Sequence, residues 1–163
     1  YQGSARIVFA LRYPKGLDAP RGVCDRLVGL QDVMPTILDA AGIRPPEGVT
    51  GRSVLDAARG KPWRDHVHGE HADRRPEIAN HYLTDGKEKY IWFPIGGEEQ
   101  FFDLANDPNE CRNLAGDAAF APRIALWRER LIERLRDRPE GFVKDGRLAP
   151  DRPYSALVAE RAP

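Results

Sequence analysis

Apolar positions occur along this chain in continuous runs, in helical stripes and in short strand-like segments. The first run, Ala5-Arg6-Ile7-Val8-Phe9-Ala10-Leu11-Arg12-Tyr13, is apolar on both faces and predicts a buried strand. Pro14 and Gly16 stop it. Residues 17–22 read as a loop and residues 23–30 as a short extended segment. Val33, Met34, Ile37, Leu38 and Ala41 then recur at helical spacing behind Asp32, which reads as an N-cap. Pro35 falls in the first turn, Gly42 suits the left-handed position after the helix, and Pro45-Pro46 prevent continuation. Residues 48–60 read as a loop with one helical turn near Ser53–Ala58.

The middle of the chain changes period. Residues 66–72, 81–84, 89–93 and 100–104 read as four strands, with Asp85-Gly86 and Pro94–Gly97 as turns. Close spacing predicts an antiparallel meander with one covered face. Phe120, Ile124, Trp127, Leu131 and Leu135 form a stripe on one helix, which supplies the cover. Arg128, Glu129, Arg130, Glu133, Arg134 and Arg136 read as its solvated face. Pro139 and Gly141 end it, and the remainder reads as an extended arm. The fold class is α+β.

Composition adds limits. The 163 residues carry 25 Lys+Arg and 25 Asp+Glu, for zero net charge. A dedicated nucleic-acid or anionic-membrane binder needs a basic excess, so neither partner is expected. No apolar run approaches the roughly 18 residues of a spanning helix. The single methionine is Met34, and the chain opens on Tyr1 just before an apolar run. The expectation is the tail of a longer protein, cytoplasmic rather than secreted, with a raw strand edge through which the isolated chain self-associates.

Candidate chemistry is sparse. His66-x-His68-x-x-His71, with Asp65 and Glu70, has ligand types but imperfect spacing. On a strand His66 and His68 share a face while His71 points away. The readings are hydrogen-bonding residues, substrate-cleft contacts or a metal site. Cys24 and Cys111 sit in no nucleophile or redox motif and read as small buried hydrophobes. Asp103 to Glu110 lacks the calcium-loop pattern and reads as turn residues bonding nearby backbone. No Gly-rich phosphate loop or Gly-x-Ser-x-Gly elbow is present.

Several segments together resemble the sulfatase family, the arylsulfatase-like branch of the alkaline phosphatase superfamily. Tyr1-Gln2-Gly3-Ser4-Ala5-Arg6 is similar to its Tyr-Glu-Gly-Ser-Ala-Arg segment, with Gln2 in place of Glu. Asp32-Val33-Met34-Pro35-Thr36-Ile37-Leu38-Asp39-Ala40-Ala41-Gly42 is similar to its Asp-x-x-Pro-Thr-Leu-Leu-x-x-Ala-Gly helix. Gly51-Arg52-Ser53-Val54-Leu55, Trp63-Arg64-Asp65 with Gly69-Glu70-His71, and Lys89-Tyr90-Ile91 resemble further boxes. Phe102-Asp103-Leu104-x-x-Asp107-Pro108-x-Glu110-x-x-Asn113-Leu114 resembles its closing hairpin.

The resemblance implies three parts. Residues 1–62 would end a large α/β catalytic domain. Residues 63–138 would form a small C-terminal subdomain, a four-stranded antiparallel sheet with a packed helix. Residues 139–163 would be an extended tail. It implies sulfate-ester hydrolysis by a formylglycine nucleophile made in a Cys/Ser-x-Pro-x-Arg motif, with calcium held partly by an Asp-Asp pair. This chain contains neither motif. The expectation is therefore no catalytic residue and no metal ligand here, and no turnover by the chain alone. Its partners would be the upstream catalytic part and a small sulfated substrate. His68, Glu70 and His71 are the candidates to reach the substrate cleft. Phosphonate or phosphate monoester hydrolysis, or a non-catalytic interaction module of the same fold, are the alternatives.

Overall fold

The computed structural model describes residues 1–152 except 15, 18–19 and 73–74. Two compact units are present. One joins Tyr1–Ala5 to the chain from His68 onward, and the other is Arg6–Val67.

In the second unit, the helix α2 (Val33–Ala40) follows a 3-10 turn at Leu30–Asp32, and α3 (Val54–Ala58) follows later; α1 (Gln2–Ala5) belongs to the first unit. α2 ends as the sequence predicts. Gly42 has φ +71°, Ile43 N–H reaches Leu38 O at 2.8 Å and Gly42 N–H reaches Asp39 O at 3.0 Å, which satisfies the last carbonyls of the helix. Asp32 differs from expectation, since its side chain does not cap α2. Its buried carboxylate accepts instead from Gly29 N at 2.9 Å, Arg52 N at 2.9 Å, and both Arg64 terminal nitrogens at 2.8 and 2.7 Å. Arg52 and Arg64 both lie over the Trp63 ring, 4.6 and 4.8 Å from its centroid. Thr36 donates to Asp32 O and accepts from Val54 N, and Ser53 caps α3 through Leu55 N. Gly51 has no substitute here: a Cβ would sit 1.8 Å from Gln31 O.

The strand predicted over residues 5–13 does not form. Residues 6–14 are irregular, and Ile7 and Val8 are exposed. The segment expected to be extended at 23–30 likewise pairs with no strand. An isolated strand leaves its N–H and C=O groups unpaired, so an apolar run becomes a strand only beside a neighbour.

The first unit holds a four-stranded sheet of β1 (Val67–His71), β2 (Asn80–Thr84), β3 (Glu88–Trp92) and β4 (Glu99–Asp103), in that spatial order. β2, β3 and β4 pair antiparallel, with Leu83 opposite Tyr90 and Tyr90 opposite Phe101. The Asp85-Gly86 turn is closed by Asp85 Oδ1, which accepts from Lys87 N and Glu88 N. The long helix α4 (Ala121–Leu135) lays Ile124, Trp127, Leu131 and Leu135 on Leu83, Tyr90, Trp92 and Phe101. The single covered face that was expected becomes two. Every residue of β3 is buried, and Ile91 with Phe102 and Leu104 forms a second cluster on the opposite side.

On that side Lys89, 1% exposed, meets Glu110 at 2.9 Å. Glu110 has φ +56° and also accepts from Gln2 N. The α4 arginines are only partly the solvated face expected: Arg128 grips Glu99 with two 2.6 Å bonds, and Arg123 pairs with Glu88. After α4 the chain is not a plain extended arm. Phe142 is fully buried in the core, and β5 (Val143–Lys144) and β6 (Arg147–Leu148) form a short hairpin. Residues 153–163 of the predicted tail lie outside the described residues. No helix among the described residues is long and apolar enough to cross a membrane.

Candidate functional site

The site is built on β1, at the edge of the sheet. Strand alternation sends His68 and Glu70 to one face and Gly69 and His71 to the other. Gly69 admits the Tyr82 ring, whose atoms lie within 2.3 Å of where a Cβ would be. His68 instead stacks on His81 of β2, with ring centroids 5.4 Å apart and planes 13° apart. His81 is fully buried, stacked on Trp92 and edge-on to Phe142 at 5.0 Å.

The polar contacts form a chain. His68 Nε2 lies 3.2 Å from His81 Nδ1, so one ring donates and the other accepts. His81 Nδ1 lies 3.9 Å from Glu70 Oε2. Both Glu70 oxygens accept from Arg138 at 3.1 Å, and Arg138 also binds Glu140 at 3.1 and 2.6 Å. Burial lowers both imidazoles to a pKa of about 4, assisted by the neighbouring arginines and, for His68, by His81; Glu70 opposes the shift at each. Both rings are therefore neutral near pH 7.

The three histidines that cluster in sequence do not converge. His66 lies outside β1 with Nδ1 2.6 Å from Asp65 Oδ1, and His71 is exposed on the other face. His68 and Glu70 gather with His81, whose donor atoms and theirs all fall within 4.8 Å. The sequence reading missed His81, Arg138 and Glu140. For His81 a signal existed: it opens the second predicted strand, and antiparallel pairing brings that strand beside the first. The two cysteines are exposed and unbridged, not buried, because both sit in loop segments away from the core.

These residues do not fit the catalytic group that the family implies. Calcium takes six to eight oxygen ligands, whereas the one converging group among the described residues supplies two nitrogens and a carboxylate. Neither cysteine stands in the motif from which formylglycine is made. A cavity of about 960 Å³ in the second unit is lined by Phe9, Leu11, Val23, Val28 and Leu55 among others, with Arg12 and Arg21 as its charged lining.

Residues 1–137 match the family described as "N-sulphoglucosamine sulphohydrolase, C-terminal", and the chain belongs to this family of C-terminal sulfatase domains. The family is one of sulfuric ester hydrolases within the alkaline phosphatase superfamily. The chain is 41% identical over 161 residues to an arylsulfatase of Clostridium perfringens (strain 13 / Type A), covering 96% of itself and 33% of that protein. It is 35% identical over 140 residues to the multifunctional alkaline phosphatase superfamily protein PehA of Trinickia caryophylli, covering 69% of itself and 27% of that protein. Among solved structures, a 2-O GAG sulfatase superposes with TM-score 0.60 at 25% identity over 74% of this chain and 27% of that one. The phosphonate monoester hydrolase of Agrobacterium radiobacter gives 0.58 at 26%, over 66% of this chain and 25% of that one. The chain spans about a third or less of the length of these relatives.

Proposed function

We propose that this chain is the C-terminal part of a sulfate-ester hydrolase, one that supports catalysis by an upstream part and performs none itself. The alignment of 96% of the chain with one third of an arylsulfatase carries this reading. The missing nucleophile and acidic metal motifs support it. So does the apolar surface of the second unit, where Ile7, Val8, Val23, Met34, Ile37 and Ile43 are exposed. That surface is what the rest of the enzyme would cover; alone, it would drive self-association. Calcium and formylglycine would belong to the upstream part, and the substrate would be a small sulfate ester.

Within that reading, edge strand β1 contributes to the wall of the substrate cleft. Glu70 and His71 are its exposed residues, on opposite faces; His68 is held by His81 and Glu70 by Arg138. A second reading, phosphonate monoester hydrolysis, is favoured by the similarity to the Agrobacterium radiobacter enzyme.

The test is to express the complete reading frame that contains this chain and assay aryl sulfate against phenyl phosphonate. Sulfate release by the full protein and none by the chain alone is expected. Faster phosphonate cleavage would move the assignment to the second reading. Turnover by the chain alone, or a frame without a Cys/Ser-x-Pro-x-Arg motif, would overturn the first.

A further inference from the structure

We propose that His68, Glu70 and His81 form a binding site for a first-row divalent transition-metal ion, of which zinc is the type. The argument begins with spacing. A tetrahedral ion with ligands near 2.0–2.1 Å holds its ligand atoms roughly 3.3 Å apart. His68 Nε2 and His81 Nδ1 already stand 3.2 Å apart. Glu70 Oε2 stands 3.9 Å from His81 Nδ1, and all three donor atoms lie within 4.8 Å of one another, so Glu70 must close by about 0.5–1.5 Å to complete the third corner.

The scaffold holds these atoms in place. His68 and Glu70 are two residues apart on β1 and share a face, and His81 comes from β2 beside it. His81 is fully buried, stacked on Trp92 and edge-on to Phe142, which restrains its ring. Arg138 binds both oxygens of Glu70 and is itself fixed by Glu140. Ligating carboxylates are commonly oriented by such outer hydrogen bonds. The Glu70 side chain is 29% exposed, which leaves solvent the fourth corner.

Donor chemistry selects the ion. Two imidazoles and one carboxylate suit zinc, cobalt or nickel and disfavour calcium and magnesium. Glu70 and Glu140 are balanced by Arg138 and by Arg134, whose charge is felt at His68. The site therefore carries no local excess of negative charge to concentrate cations. Bound there, the ion would tie the edge strand β1 to β2.

The test is a cobalt(II) titration of the full chain, with cobalt as a spectroscopic stand-in. A tetrahedral visible absorption that saturates at one ion per chain and is bleached by zinc is expected. His68→Gln, which touches the least buried ring, should weaken binding by about tenfold or more with the circular dichroism unchanged. The double variant His66→Gln with His71→Gln, and Cys24→Ser with Cys111→Ser, should bind as the parent does. No tetrahedral absorption, equal affinity in His68→Gln, or loss confined to the control variants would each overturn the proposal.

Discussion

Asp32 and Arg64 are joined by two hydrogen bonds of 2.7 and 2.8 Å, with the Asp32 side chain fully shielded from solvent. Two backbone N–H groups, of Gly29 and Arg52, share the same carboxylate. One side chain thereby ties together the entry to α2, the loop before α3 and the segment leading to β1. Replacing Arg64 by Met strands a buried carboxylate, which typically costs about 3–5 kcal/mol. Hydrogen exchange should show protection across residues 30–60 collapsing in Arg64→Met; parental protection there would refute the role given to this pair.

Gly51 and Gly3 offer a contrast. A methyl at Gly51 meets the Gln31 backbone, while one at Gly3 meets nothing within 4 Å. Gly51→Ala should lower stability by at least ~1–3 kcal/mol, whereas Gly3→Ala should be neutral or slightly stabilising. Denaturant midpoints measure both, and equal midpoints would contradict the close approach at Gly51.

Lys89 and Glu110 form a buried pair, with the Lys89 ammonium also 4.8 Å from the Tyr82 ring centre. Removing either charge leaves the other buried, so Lys89→Met or Glu110→Gln should each cost about 3–5 kcal/mol. The double variant should cost clearly less than the sum. Additive losses in the double-mutant cycle would show that the two charges do not act on each other.

Glu99 supplies the pH test. Burial works to raise its pKa, yet hydrogen bonds from Arg128 and Tyr90, together with the Arg128 charge, leave it lowered overall. A carboxylate depressed in the folded state contributes stability above its ordinary unfolded pKa, near 4.3. That contribution disappears as pH falls through the lower folded value. Stability should therefore decline on the acid side of about pH 4, and Glu99→Gln should flatten that limb. An unchanged acid limb in Glu99→Gln would show that other groups set it.

How far the sequence reveals this molecule depends on what each residue answers to. The four strands, their turns and the stripe of α4 follow from local period and turn chemistry, and they stand where the pattern places them. Gly42 ends its helix as predicted because left-handed backbone is a local requirement. The run at 5–13 shows the opposite case: being a strand depends on a neighbour, and its own residues cannot supply one. Asp32 reads as a cap because Asp before a helix commonly caps; only the fold shows that Arg64, 32 residues on, competes for it. His68 and Glu70 are legible as chemistry-bearing, but their companion His81 lies across a strand pairing, and Arg138 arrives from beyond α4. The buried Glu110 hides inside a segment that otherwise reads correctly as a turn.

The first unit is not a continuous stretch of polypeptide. Tyr1 hydrogen-bonds Gln100 and packs edge-on to Phe102, and Gln2 binds Glu110, across separations of 99 and 108 residues. Arg6–Val67, which forms the other unit, is thus an insertion in the sequence between two pieces of one sheet-and-helix body. Cutting the gene at His68 would produce a polypeptide with every strand of the sheet from β2 onward but an uncovered Phe102 and a Glu110 short of one donor. Such a segment should be stickier than the same residues in the whole chain, since the residues that cover Phe102 and reach Glu110 are encoded ahead of the inserted unit.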